Sequence, residues 1–302
     1  MTTPPGQVSV TLPVNQAIER MKRVLFQPFD LGKWITIGFC AWLALLGESG
    51  SSGHFNWPSR RHESLRSLRN WIEQARDYVA QNLYWMLPLA AALFLVGLVL
   101  WVLFIWLSSR GRFMFLHCIA LDRAEVAVPW RKFAREANSL FWFRLVVGLA
   151  GLLVTLPVLA IMALAGWRMI ERGEPSVSGI CELAGAALLL LLLGSVFWIV
   201  GGLTRGFVVP IMFRRGGGCL PAWGVLLRLL AGNPGNFILY FLFQIVLGMA
   251  IGVLILTAVL ATCCILGCAL AIPFLGTVLL LPIHVFRRSY SLYYLAQYGE
   301  EY

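Results

Sequence analysis

The residues of this 302-residue chain with chemical potential are four histidines, seven cysteines and 24 lysines and arginines. No two histidines stand at the His-x-x-x-His spacing, and no Cys-x-x-Cys pair occurs. Those spacings place two ligands on one metal, so neither a metal centre nor a cofactor is expected. His117 and Cys118 are neighbours, and adjacent side chains on a helix point apart, which argues for packing rather than for a catalytic pair. His54 and His62 flank a Pro-Ser-Arg-Arg turn and suit a solvated surface. His284, two residues after Pro282, is the exception. It lies within a long apolar stretch, where an ionisable group is a functional candidate, although a carbonyl freed by the proline would also hold a neutral ring.

The glycine-rich run Arg214-Arg215-Gly-Gly-Gly looks like a phosphate loop but lacks the Gly-Lys-Ser/Thr ending and follows an apolar helix instead of a strand. A nucleotide site is therefore not expected. The basic residues make better sense together. Arg110, Arg112, Arg131, Lys132, Arg205, Arg214, Arg215, Arg287 and Arg288 all sit at the edges of apolar segments. There each one gains about 1 kcal/mol from anionic lipid headgroups. A pI near 9.6 also raises nucleic acid as a partner, but basic residues strung along several membrane edges fit lipid and not a nucleic-acid groove.

Those edges exist because most of the chain is too apolar for water. Hydrophobic residues make up 59%, mean hydropathy is +0.78 and only 13% are charged, against about 25% charged in a soluble domain. Residues 229–286 contain no Asp, Glu, Lys or Arg. One span needs about 20 residues, so at least two lie there. The expected fold is all-α and polytopic, with six transmembrane helices near 31–47, 84–107, 145–167, 183–203, 237–258 and 267–286. The polar and proline-bearing first thirteen residues lack a signal-peptide pattern, so the first span is read as retained. Cys40, Cys263, Cys264 and Cys268 fall in apolar segments, Cys118 and Cys219 on a reducing side and Cys181 alone outside, so no disulfide framework is expected.

Orientation follows from charge. Segments 14–33, 110–144, 205–228 and 287–302 hold 17 of the 24 basic and seven of the 14 acidic residues, so the entire net charge of +10 resides there. The positive-inside rule puts these segments, and both termini, in the cytoplasm. Residues 48–83 would lie outside. In that loop Leu65, Leu68, Trp71, Ile72, Ala75, Tyr78 and Val79 share one helical face, which predicts an amphipathic outer helix over 61–82.

The apolar segments are introduced by a recurring pattern. Ile18, Met21 and Leu25 precede Gln27-Pro28; Trp130, Phe133 and Ala137 precede Asn138-Ser139; Trp223, Leu226 and Leu230 precede Asn233-Pro234. Each trio marks a helix face, and each following pair is read as its stop. Arg112 to Trp130 and Arg205 to Trp223 are both 18 residues apart. The chain therefore reads as one membrane domain over 1–302 of three related two-helix units, 14–107, 128–204 and 221–286, with cytoplasmic interfacial helices. Gln244 is the main polar residue inside the spans and is expected to hydrogen-bond between helices. Gly248 and Gly252 permit close helix contact, and Gly148 and Gly151 do so less cleanly. No Asp or Glu falls in a span core, which disfavours ion-coupled transport.

Phe-Gln-Pro-Phe-Asp-Leu-Gly-Lys-Trp (26–34) entering the first span and Ser-Arg-Gly-Arg-Phe (109–113) leaving the second carry a resemblance. The chain resembles bacterial multi-pass domains of unknown function related to the membrane domain fused to glycerophosphodiester phosphodiesterases. The likeness implies a fold and a bacterial inner membrane. It implies no catalysis, because the chain has no counterpart of that enzyme's metal-binding carboxylates and histidines. The expected function is a non-enzymatic membrane component that binds lipids or scaffolds a protein partner or second copy. The alternative is passive transport of an amphiphilic solute.

Overall fold

The structure is a computed structural model, and it describes residues 9–46, 65–172, 177–262 and 265–299. These residues are helical apart from short turns, with no strand among them. The glycine- and serine-rich stretch 47–53, His54, His62 and the Cys263–Cys264 pair lie outside them.

Four helices are long and apolar enough to cross a membrane: Gln81–Leu121, Ala134–Met169, Val177–Arg215 and Pro234–Ala261. In the most apolar stretch of each only 6% is buried in protein. Leu153, Phe94 and Ile238, for instance, stand 73%, 70% and 69% exposed. Side chains of this kind on all four helices need hydrocarbon, not water, around them.

The chain begins with α1 (Leu12–Phe26), which places Pro13 in its first turn, where the missing N–H costs nothing. Its Pro13, Ala17, Val24 and Leu25 face is buried. Next comes α2 (Leu31–Leu45), capped by the Asp30 carboxylate accepting from Gly32 N at 2.8 Å. At 15 residues it is about 22 Å long, short of a 30 Å hydrocarbon core. The third helix, α3 (Leu65–Leu121), joins the expected amphipathic segment and the second span into one helix of 57 residues. It does not stop at Arg110, but continues to Leu121.

Then follow α4 (Ala127–Lys132), α5 (Ala134–Arg172), α6 (Val177–Leu203), a π-helical turn (Thr204–Val208), α7 (Val209–Arg215), α8 (Cys219–Gly232) and α9 (Pro234–Ala261). The expected stop at Asn138-Ser139 does not occur, and α5 runs through it. The other two stops contain a proline, which removes a donor and blocks the helix; this pair does neither. Here the break falls at Phe133 instead, whose ring is buried against Phe113 and Phe213.

Expected span 267–286 is not a continuous helix. It divides into α10 (Ile265–Ala271), α11 (Pro273–Leu279) and α12 (Leu281–Ala296). Pro273 pushes Ile272 into extended geometry at φ −81°, ψ 115°. Short α11 packs along short α2: Trp34 Nε1 donates to Val278 O at 3.2 Å, and Trp42 meets Phe274 edge to face at 6.0 Å.

Two compact units result, one drawn from Met1–Gly50, Phe104–Phe143 and Gly202–Tyr302, the other from Ser51–Leu103 and Arg144–Gly201. In the second, Gly148 lies against Trp101 and Gly151 against Phe197, with a Cβ at either meeting the ring at 3.2 Å. At Gly248 and Gly252, the expected close-packing pair, an added Cβ would meet no neighbouring element within 4 Å among the described residues. In the first unit, α1 packs lengthwise on α12. Ser9 N donates to Gln297 Oε1 at 2.8 Å and Gln297 Nε2 returns a bond to Ser9 O at 3.0 Å. Arg20 crosses to α3 and donates to Ile119 O and Ala120 O at 2.7 and 2.8 Å, capping the C-terminus of that helix.

Candidate functional site

The basic residues expected at lipid headgroups fall into three environments. Arg131, Lys132, Arg205, Arg214, Arg215 and Arg287 are exposed. Arg110 is half-buried between two indoles, its guanidinium 4.7 Å from the Trp106 ring and 4.8 Å from that of Trp130. Stacking of this sort holds Arg110 to the protein, and its Nη1 also donates to Trp130 O at 3.4 Å. Arg112 is buried at 7% exposure, so it belongs to the interior of the unit. Arg288 is half-buried and donates to Arg205 O.

The motif Ser-Arg-Gly-Arg-Phe (109–113) gains a physical reading from these neighbours. Just before it, Ser108 Oγ donates to Ala44 O at 2.9 Å. Gly111 then brings α3 against the end of α2 so closely that a Cβ would lie 2.5 Å from Ala44 N. Phe113 stacks on Phe133 at 5.9 Å. The motif is a packing device, with Arg110 clamped on one side of its glycine and Arg112 buried on the other.

The two polar candidates Gln244 and His284 lie on different helices, α9 and α12. Gln244 is half-buried, and its Nε2 donates to Tyr240 Oη at 3.0 Å, one turn away on the same helix rather than across to another. His284 is half-buried on the first turn of α12, where its N–H donates to Leu280 O at 3.1 Å. The ring of His117 is buried against Phe133 and Phe213, and among the described residues neither of its nitrogens has a hydrogen-bond partner. Among the described residues no three His, Cys, Asp or Glu side chains gather as a metal-binding group. Burial pushes the Cys219 thiol up to about 12, which keeps it protonated and unreactive.

A tyrosine cluster gathers at the end of the chain, from residues that carry no chemical motif in sequence. Tyr290 and Tyr294 on α12 and Tyr298 in the turn just after it follow each other at four-residue spacing, which places the first two on one helical face. Tyr290 and Tyr294 are fully buried. With Tyr240, Phe207 and Phe237 they form one aromatic cluster, the Tyr240 and Tyr294 rings 4.5 Å apart. Their hydroxyls reach main chain: Tyr290 Oη donates to Val10 O at 3.1 Å and Tyr294 Oη to Asn236 O at 2.9 Å. Burial raises the pKa of Tyr290, Tyr294 and Tyr298, and for Tyr290 and Tyr294 the neighbouring phenols add to the rise.

Around this cluster stand Arg205, Arg287 and Arg288. Arg287 is open to solvent on one side, yet desolvation by the surrounding protein lowers its pKa, and the charge of Arg205 lowers it further. On the opposite flank, Lys33 Nζ donates to Asp122 Oδ1 at 2.9 Å, a partly exposed pair joining α2 to the turn after α3. Neither it nor Arg20 was singled out from sequence, because their partners are about 90 to 100 residues away.

No curated protein and no solved structure matches the chain. A family model, that of the family of unknown function DUF7544, covers residues 9–285. Since that match takes in nearly all of the helices described above, the chain belongs to this family.

Proposed function

We propose that the protein is a non-enzymatic integral membrane component whose basic face holds anionic lipid headgroups and can present a surface to a protein partner or second copy. The observation that carries this reading is the pairing of four long, apolar, outward-facing helices with six exposed basic residues at segment edges. Long-chain cations beside hydrocarbon place their charge at headgroup depth.

The same reading keeps six spans in three two-helix units of a bacterial inner-membrane protein, with α2 and the α10–α12 segment as the irregular members. Backbone at membrane depth that leaves the helix is tolerated where protein covers it, and α2 covers α11. Repetition is supported by the turns that follow the two arginine–glycine pairs. After Arg110-Gly111 the helix ends at Leu121 with Asp122 at φ 58°, and after Arg205-Gly206 it ends at Arg215 with Gly216 at φ 69°. A short helix follows in both cases. Cytoplasmic placement of both termini is supported by the Ser9–Gln297 pair, by the Arg20 bonds at residues 119–120, and by Ser139 Oγ accepting from Cys219 N at 2.9 Å. These contacts gather the four basic segments in one place.

Reporter fusions test the topology: residues 120 and 217 are expected in the same compartment as the termini and residue 60 in the opposite one. Finding 60 together with 120 and 217 would remove it. Reconstitution tests the function. Vesicles containing phosphatidylglycerol are expected to stabilise the protein more than phosphatidylcholine vesicles, with no saturable solute flux. Saturable flux, lost on Gln244→Ala, would replace this reading with passive transport.

A further inference from the structure

We propose that Arg205, Arg287 and Arg288 together form a single binding site for a phosphate group, built where the Thr204–Val208 turn meets α12. This deepens the lipid reading above and rests on it. The argument starts from Pro210. In the widened turn Val209 N donates five residues back, to Thr204 O. The next N–H in the chain would serve Arg205 O in the same wide register, or Gly206 O in the ordinary one. Residue 210 is proline and has no N–H to give. These two carbonyls are the ones that α12 supplies: Arg288 donates to Arg205 O, and Ser291 Oγ donates to Gly206 O.

A defect in the helix therefore fixes α12 against the turn that carries Arg205. Gly206 lets the helices approach, since a Cβ there would meet Ser291 Oγ at 3.4 Å and Tyr240 Oη at 3.8 Å. Arg287, next to Arg288, is thereby held within reach of the charge of Arg205, and both of these side chains remain open to solvent. Among the described residues, the charge of Arg205 lowers the pKa of Arg287 and the Tyr240 phenol raises it. Like charges held together in a partly desolvated place are unfavourable, and an anion relieves them. Guanidinium forks match phosphate oxygens in a way that single ammonium groups do not. Single π-helical turns occur frequently at functional sites, and this one sits at the basic end of an apolar helix, where a lipid phosphate would lie.

The full chain in an uncharged detergent, followed by native mass spectrometry and thermal melting, tests the site. The probes are phosphatidylglycerol, phosphatidylcholine and inorganic phosphate. Wild type is expected to prefer phosphatidylglycerol, and each arginine removed should cost about fivefold in affinity. Arg205→Gln/Arg287→Gln should thus lose about 25-fold, while Lys22→Gln/Arg23→Gln, at exposed positions of α1 outside the candidate set, keeps the preference. Arg287→Lys, which keeps the charge, guards against misfolding and should lose less than Arg287→Gln. Equal losses in both double variants would overturn the site and leave the general lipid reading standing. No preference for phosphatidylglycerol over phosphatidylcholine would overturn that reading. Protection by inorganic phosphate alone, lost in Arg205→Gln/Arg287→Gln, would keep the anion site and assign it to free phosphate.

Discussion

Gly111→Ala will destabilise the protein by about 3 kcal/mol, the upper end of the range for overpacking, whereas Gly97→Ala will stabilise it by up to about 1 kcal/mol. Both glycines lie inside α3. In an unobstructed helix alanine is the better residue, because glycine loses more backbone entropy on folding. Gly97 has nothing within 4 Å of an added Cβ. At Gly111 the added carbon would lie 2.5 Å from Ala44 N and 2.6 Å from Leu43 C. Those atoms are main chain at the end of α2 and cannot swing aside as a side-chain tip does. Relief would require α2 to move away from α3, breaking the Ser108–Ala44 bond and opening the buried contact around Ile37, Cys40 and Met114. Melting curves of the two variants in one detergent decide the matter. Equal melting temperatures would mean that the α2–α3 approach is not as close as described.

The second large effect is expected at Tyr294. Its ring is fully buried among Phe207, Phe237 and Tyr240, and Tyr294→Ala should cost about 3–5 kcal/mol, the usual range for emptying a large aromatic site. Tyr294→Phe keeps the ring and loses only the bonds to Asn236 O and Tyr298 Oη, so about 1 kcal/mol is expected. The phenols also make stability depend on alkaline pH. Burial raises the pKa of Tyr290, Tyr294 and Tyr298 above the ordinary value of about 10. Above pH 10 the unfolded chain gives up these protons while the folded chain keeps them, so the unfolded state is favoured as pH rises. The contribution is complete below about pH 10 and is lost as pH climbs toward the folded values. Melting temperature between pH 8 and 11.5 should fall, and it should fall less steeply in Tyr290→Phe/Tyr294→Phe. An unchanged slope in that variant would show that these phenols do not carry the pH dependence.

Elements set by local rules were legible in the chain before its contacts were known. Helices α1 and α8 end where Gln27-Pro28 and Asn233-Pro234 stand, since a proline blocks a helix whatever surrounds it. The apolar segments become long exposed helices because their composition leaves hydrocarbon as their only suitable surroundings. Asn138-Ser139 misled for the same reason in reverse: a polar pair weakens a helix only slightly, and packing at Phe133 set the boundary instead. Gly248 and Gly252 misled because four-residue spacing says that two small residues share a face but not whether another helix lies on it.

Residue types and their periodicity alone determined that this chain is helical, that most of it prefers lipid to water, and where its positive charge collects. Those properties depend on residues a few positions apart, and one strand of text contains them. Which arginines stay at the surface was decided only in three dimensions. Arg110 lies between two tryptophans, one of them 20 residues on; Arg112 is buried; and Arg205 meets α12 more than 80 residues later. An identical side chain at the edge of an apolar segment can be a clamp, a core residue or a solvent-exposed cation, because its surroundings come from a distant segment brought near by the fold.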